Sequence, residues 1–310
     1  MDHLATVLAD SLSALDRVIL GKPVQLRLSL ACLLARGHLL LEDVPGVGKT
    51  TLAQALAQVL GLATQRVQFT SDLLPADVLG VSIFNRDTQS FEFRPGPVFT
   101  QLLLADEVNR ASPRTQSALL EAMEERQVSL DGTTHTLPQP FFVVATQNPQ
   151  EQAGTYPLPE SQLDRFLMRI SLGYPAPSLE REVLLDAGRH ARIGSLEPMM
   201  SPVEVVALQA RVGSVHVAPV LLDYVQALIA HTRRDASLQL GLSPRAGQGL
   251  VRAARAWALL EGRESVLPED VQAVLPAVAG HRLVARMSRE PGGIASDVAA
   301  ALLAAVPVPP

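Results

Sequence analysis

The chain has 310 residues, a formal charge of −5, a pI near 5.8 and 47% apolar residues. That length builds one large domain or two modest ones around a substantial core, and the acidic balance excludes a broad electrostatic footprint for nucleic acid, though not a local basic stripe. The single cysteine, Cys32, excludes an internal disulfide and reads as a small buried hydrophobe, while glycine, proline or charge interrupts every apolar run before it reaches bilayer-crossing length.

The first residues lack a basic region ahead of an apolar stretch, so no secretory signal is expected and a cytoplasmic location is. Residues 1–36 read as mainly helical, with Leu4, Val7 and Leu8 and then Leu26 to Leu34 as their apolar positions. A buried strand follows, His38–Glu42. It enters the run VPGVGKT (Val44 to Thr50), and a helix from Leu52 to Leu60 leaves it and ends at Gly61. Lys49 is one of only two lysines in the chain, the other being Lys22. It stands where Gly46 and Gly48 let backbone N–H groups turn inward onto phosphate oxygens. The helix N-terminus adds positive charge, the lysine reaches the β- and γ-phosphates, and the Thr50 hydroxyl ligates Mg²⁺. An arginine fork would be bulkier there than a compact ammonium. Pro45, Gly46, Val47, Gly48, Lys49, Thr50 and Thr51 are therefore the expected nucleoside triphosphate contacts. The general pattern G-x-x-x-x-G-K-[ST] places its first glycine where this chain has Asp43. Asp43 either sets a carboxylate near the phosphates or turns the chain after the strand, and we read it as a tolerated turn variant.

Next come a short strand over Arg66–Phe69, an apolar strand over Gln101–Glu107, a helix over Thr115–Glu125 and another buried strand over Phe141–Asn148. Buried strands alternating with helices predict an α/β fold with a parallel sheet, whose ligands gather at the C-terminal strand ends. Asp106 closes one such strand and is expected to hold Mg²⁺ through its water shell. Glu107 beside it is expected to polarise a water for in-line attack on the γ-phosphate. The bland alternative is two acids capping a surface strand. Asn148 ends the next strand, orienting that water or touching the γ-phosphate, or else making an Asn-Pro turn. Arg165 and Arg245 are two candidate phosphate-facing arginines, although spacing alone makes them ordinary surface residues.

The stretch Gly173–Ser178 breaks the alternation and reads as a linker. Beyond it the helices Leu179–Arg189, Val203–Val212, Pro219–Thr232, Pro244–Leu260 and Pro268–Val278 predict a smaller all-helical domain, several of them opening on Ser-Pro or Leu-Pro. From about Met287 the chain holds GluProGlyGly, an Ala-rich helix candidate and ProValProPro. The expected divisions are residues 1–172, 173–285 and 286–310.

Six runs together resemble the MoxR family of AAA+ ATPases: GHLLLEDVPGVGKT (Gly37–Thr50), VQFTSDLLPADVLG (Val67–Gly80), LLLADEVNRASPRTQSALLEAMEE (Leu102–Glu125), ATQNP (Ala145–Pro149), LPESQLDRFLM (Leu158–Met168) and LSPRA (Leu242–Ala246). The resemblance covers about residues 15–285. It implies a P-loop AAA+ core followed by a helical lid. Gly46 to Thr51 fall at Walker A, Asp106 and Glu107 at Walker B, and Asn148 at sensor 1. Arg165 falls at the arginine finger, acting on a neighbour's ATP, and Arg245 at sensor 2, reaching from the lid to the nucleotide. A trans-acting arginine implies a homo-oligomeric ring, a hexamer, using ATP and Mg²⁺. The family's helix 2 insert falls at residues 81–97, where Ile83–Phe84 and Phe91–Phe93 flank a turn and read as a hairpin. A second hairpin is expected over Gln127–Pro138, and both would project toward the ring's pore or face. The implied work is chaperone-like remodelling or maturation of a protein client, including metal or cofactor loading, with a von Willebrand factor A domain protein as partner. The competing readings are a magnesium chelatase-type ATPase subunit, a nucleic-acid motor and a nucleotide-gated scaffold. The charge, the lack of a zinc motif and the lack of a helix-turn-helix signature weigh against the motor.

Overall fold

The structure is a computed structural model that describes residues 3–149, 154–185, 194, 196–285 and 295–309. Helices α1 (His3–Val18) and α2 (Pro23–Leu34) precede β1 (Leu39–Glu42), and α3 (Lys49–Val59) leads to β2 (Thr64–Gln68) and the short α4 (Pro75–Leu79). A hairpin, β3 (Gly80–Asn85) and β4 (Ser90–Pro95), comes before β5 (Leu102–Asp106) and α5 (Pro113–Glu125). A second hairpin, β6 (Gln127–Leu130) and β7 (Thr133–Thr136), precedes β8 (Phe142–Gln147), the short α6 (Glu160–Leu163) and β9 (Met168–Ile170). The remainder is α7 (Pro177–Leu185), α8 (Pro202–Ser214), α9 (Pro219–Arg234), β10 (Leu238–Leu240), α10 (Pro244–Leu260), α11 (Pro268–Ala279), β11 (Val284–Ala285) and α12 (Ala295–Ala305).

Five parallel strands form one sheet in the order β2-β5-β8-β1-β9. The three central strands are continuous apolar runs because both of their faces are covered. Leu39, Leu41, Leu102, Leu104, Phe142 and Val144 point to one face, against α2 and α3. Leu40, Leu103, Ala105, Val143 and Ala145 point to the other, against α5. Strand β2 lies at an edge, and its polar sequence TQRVQ blunts further pairing.

Serine-proline pairs start the helices as their chemistry requires. Ser112, Ser201 and Ser243 cap α5, α8 and α10 through their side chains, and a proline fills the first turn of each. Helix α10 packs on α2, α8 and α11, so the helical region and the sheet share one apolar cluster. The helical region differs from its expected all-helical form by one antiparallel pair, Leu238↔Ala285 and Leu240↔Val284. Strands of three and two residues are too short to show a period of two. Helix α12 buries Ala299 and Leu302, with Val306 buried just beyond it, and packs on α9 and α11, so this part of the expected tail joins the helical region. The end of the expected helix beyond Leu185 and the GluProGlyGly run lie outside the described residues. Among the described residues, no helix is long and apolar enough to cross a membrane. Cys32 is buried, as expected, and burial pushes its thiol pKa up.

His38, just ahead of β1, is buried as a neutral ring. The Val143 N–H donates to Nδ1 at 3.0 Å, so the proton sits on Nε2 and faces Met123 O at 3.1 Å. A second ring proton would oppose that N–H, and burial pushes the pKa down to about 4. The folded state then binds fewer protons than the unfolded state below the ordinary histidine value of 6.5. Stability is full above that value and falls as pH drops toward 4, by on the order of 3 kcal/mol for this group. Urea unfolding at pH 7 and pH 4.5 should show the drop, and His38→Gln should flatten it. An unchanged pH slope in His38→Gln would exclude this origin.

Candidate nucleotide site

The phosphate loop joins β1 to α3. Gly46 has φ +83° and Gly48, which caps α3, has φ +99°, conformations that L side chains rarely adopt. Lys49 lies back along the loop, with Nζ donating to Asp43 O at 2.5 Å and Val44 O at 3.1 Å.

Asp43, the departure from the glycine pattern, has a structural reason. Its carboxylate is buried and accepts three hydrogen bonds: from Val44 N–H at 2.9 Å, the Ser171 hydroxyl at 2.9 Å and Gly173 N–H at 2.6 Å. It thereby ties the start of the phosphate loop to the segment leaving β9. Asp43→Gly would restore the general loop pattern yet leave those donors without an acceptor, at a cost of about 1–3 kcal/mol. We expect the variant to melt several degrees lower and to bind ATP more weakly. An unchanged or raised melting temperature would contradict this account of Asp43.

Lys49, Thr50, Asp106, Glu107 and Asn148 gather at the C-terminal ends of β1, β5 and β8. The Thr50 hydroxyl donates to Asp106 Oδ2 at 3.4 Å, which links the loop to the acidic strand end. Asp106 is buried; Thr146 donates to its Oδ1 at 2.7 Å, and Arg66 on β2 donates to Oδ2 through Nε at 3.0 Å and Nη2 at 2.8 Å. One hydroxyl and one carboxylate beside a phosphate loop suit Mg²⁺, which takes few protein oxygens and completes its shell with phosphate and water. Arg66 is half exposed and can yield Oδ2.

Glu107 adopts the left-handed conformation, φ +56°, which costs a non-glycine residue about 1–2 kcal/mol. Its N–H donates to Thr146 Oγ1 at 2.9 Å, and its Oε2 accepts from Gln68 at 2.8 Å and pairs with Arg110 at 2.7 Å. Thr146 therefore orients both acids. Sequence reading missed Arg66, Gln68, Arg110 and Thr146, whose only signal was placement on or next to strands that end at the site. Asn148 is buried directly after β8, next to Gln147, whose carbonyl accepts from Asp43 N–H at 3.3 Å.

The two arginines lie elsewhere. Arg165 Nε meets Glu124 Oε2 at 3.0 Å, and Arg245 Nη1 meets Glu124 Oε1 at 2.8 Å. They line one cleft with Arg36, Gly37 and His38, the residues that enter β1, whereas the phosphate loop leaves its other end. The expected reach of Arg245 to the chain's own nucleotide loop is therefore not found. The first turn of α10 faces the last turn of α5, at the entering end of the sheet. The cleft holds six arginines, counting Arg126, Arg252 and Arg282, against the carboxylates of Glu124 and Asp164. Burial, followed by neighbouring guanidiniums, pushes the pKa values of Arg126 and Arg252 down. Half-exposed ion pairs are worth up to about 1 kcal/mol, so Glu124 aims Arg165 and Arg245 without fixing them.

Comparison with known proteins agrees with this geometry. The ATPase family associated with various cellular activities (AAA) matches residues 38–168, and the AAA lid domain matches residues 230–302. The chain is 47% identical to the protein YeaC of Bacillus subtilis (strain 168), over 99% of this chain and 97% of that one. It is 43% identical to the protein named chaperone MoxR1 of Mycobacterium tuberculosis (strain ATCC 25618 / H37Rv), over 86% of this chain and 73% of that one. A crystal structure of a protein assigned as an ATPase from Cytophaga hutchinsonii ATCC 33406 superposes with a TM-score of 0.89 at 36% identity, covering 99% of this chain and 96% of that one.

Proposed function

The chain belongs to the MoxR family of AAA+ ATPases and hydrolyses ATP; from that premise we propose that it works as a cytoplasmic homo-oligomeric ring, a hexamer, that remodels or matures a protein client. The carrying observation is the meeting of Arg165 and Arg245 on Glu124, at the opposite end of β1 from the chain's own phosphate loop. Arginines so placed serve a triphosphate only when it belongs to a neighbour. In this reading residues 1–172 are the ATPase core and 173–285 the lid, which α12 of the expected tail joins.

Pro45 to Thr51 cradle the phosphates, with Lys49 turning from the loop carbonyls to the β- and γ-oxygens. Thr50 and Asp106 would hold Mg²⁺, which would supply neutralisation of the charge on those oxygens. Glu107 takes a proton from the attacking water once Gln68 and Arg110 loosen their hold, and Asn148 orients that water. The neighbour's Arg165 and Arg245 stabilise charge developing on the γ-phosphoryl group. Imaging Glu107→Gln chains with ATP tests assembly: closed rings support the reading, and monomers at every concentration refute it.

The hairpin β3–β4 supplies a client surface. Phe84 pairs with Phe91, both exposed, on the same face as Phe93, which stacks on His135 of the second hairpin at 3.9 Å. The aromatic stripe is thus anchored at its base and open at its tip. Replacing both Phe84 and Phe91 with serine should leave basal ATP turnover within about twofold, since neither touches the nucleotide site, and should abolish client retention by a Glu107→Gln trap. Unchanged retention would remove the hairpin from client binding. Maturation by metal or cofactor loading, with a von Willebrand factor A domain partner, is the finer proposal. The acidic charge disfavours a nucleic-acid motor, and ATPase stimulation by single-stranded DNA would reverse that judgement.

A further inference from the structure

Arg282 sits in the turn between α11 and β11, and only 7% of its side chain is exposed. All three of its nitrogens are committed, chiefly to one loop of the core. Nε donates to Asp164 Oδ1 at 2.6 Å. Nη2 donates to Asp164 O at 3.0 Å and to Phe166 O at 2.7 Å. Nη1 donates to Leu167 O at 3.1 Å and to Val278 O in the last turn of α11. His281 beside it meets Phe166 O at 3.0 Å. The residue bracketed by these acceptors is Arg165. A short loop between α6 and β9 has few backbone partners of its own, and a planar five-donor fork suits three nearby carbonyls and a carboxylate. A lysine, with three donors on a point charge, cannot reproduce that set.

We infer that Arg282 is a positioning residue: carried by the lid, it fixes the loop that presents Arg165 to the neighbouring subunit. The inference rests on the proposed trans action of Arg165. Arg282 itself does not serve the phosphates, because each of its nitrogens is already spent on protein acceptors. The lid thereby sets the aim of the arginine that the core lends. The same turn also holds the chain's own site from the other side. Gly280 O accepts from Arg169 at 3.0 Å, and Arg169 pairs with Glu42 at 2.7 Å, one residue before Asp43.

The test uses Arg282→Lys and Asp164→Asn in the full chain, alone and mixed with Glu107→Gln subunits. For Arg282→Lys we expect assembly and affinity for a fluorescent ATP analogue within about threefold of the unaltered chain, with turnover down roughly 10–100-fold, as for an ångström-scale misplacement. Asp164→Asn should lose less. Arg282→Lys combined with Arg165→Ala should be no slower than Arg165→Ala alone. Mixing with Glu107→Gln should restore turnover, because one subunit brings a working Glu107 and the other a well-placed Arg165. Normal turnover by Arg282→Lys, beside an Arg165→Ala that is slow and rescued on mixing, would overturn the positioning role and leave the trans role standing. A loss that mixing does not restore would also overturn it, by showing an effect confined to the variant's own site. Normal turnover by Arg165→Ala would remove the premise instead. Should Arg282→Lys not fold, Asp164→Asn decides by the same mixing readout, since it keeps one acceptor oxygen for Nε while removing the charge.

Discussion

Glu107→Gln is expected to bind ATP as the unaltered chain does and to hydrolyse it about 10²–10⁴-fold more slowly. The substitution is isosteric, so the Glu107 N–H bond to Thr146 and the left-handed turn after β5 are kept. The amide oxygen can still accept from Gln68 and Arg110, the partners of the native carboxylate. It cannot take a proton from water, and its lost charge weakens only a half-exposed pair with Arg110. Binding of a fluorescent ATP analogue and single-turnover hydrolysis separate the two effects. Turnover within about threefold of normal would exclude Glu107 as the base, because general-base losses begin near 10²-fold.

Arg165→Ala is expected to have the larger effect, on the order of 10³–10⁵-fold in turnover of the assembled protein, with nucleotide affinity nearly unchanged. The affinity expectation follows from position: Arg165 lies at the entering end of β1, away from Lys49 and Thr50. Its partner Glu124 keeps Arg245 at 2.8 Å, so that carboxylate does not lose its only counter-charge. Equal mixing with Glu107→Gln subunits should recover part of the activity, through interfaces that pair a working Glu107 with a working Arg165. Turnover by Arg165→Ala at the unaltered rate, or no recovery at any mixing ratio, would count against a site shared between subunits.

Local chemistry made the central sheet and the phosphate loop legible. Apolar runs such as LLL at residues 39–41 and 102–104 admit few readings when turn signals bound them, and Gly46, Gly48 and Lys49 sit within one short loop. Asp106 and Glu107 were legible because a strand end near that loop needs oxygen donors. The partners of Asp43 were not, since Ser171 and Gly173 lie 128 and 130 residues further along the chain. Glu124 carried no signal either: an acid in the last turn of an amphipathic helix reads as solvated until two arginines are seen on it. Placing Arg245 beside Arg165 depends on how α10 packs against α5, which no periodicity encodes. Arg282 was hidden for the same reason, as its acceptors are mostly backbone carbonyls, which every sequence has.

The central claim is that each ATP site is completed by a neighbouring chain. Its most direct test is turnover per chain against protein concentration, with assembly followed by sedimentation on the same samples. The account predicts negligible turnover by the monomer and a rise of several orders of magnitude that tracks assembly. A rate per chain that is the same in monomer and assembly would contradict it.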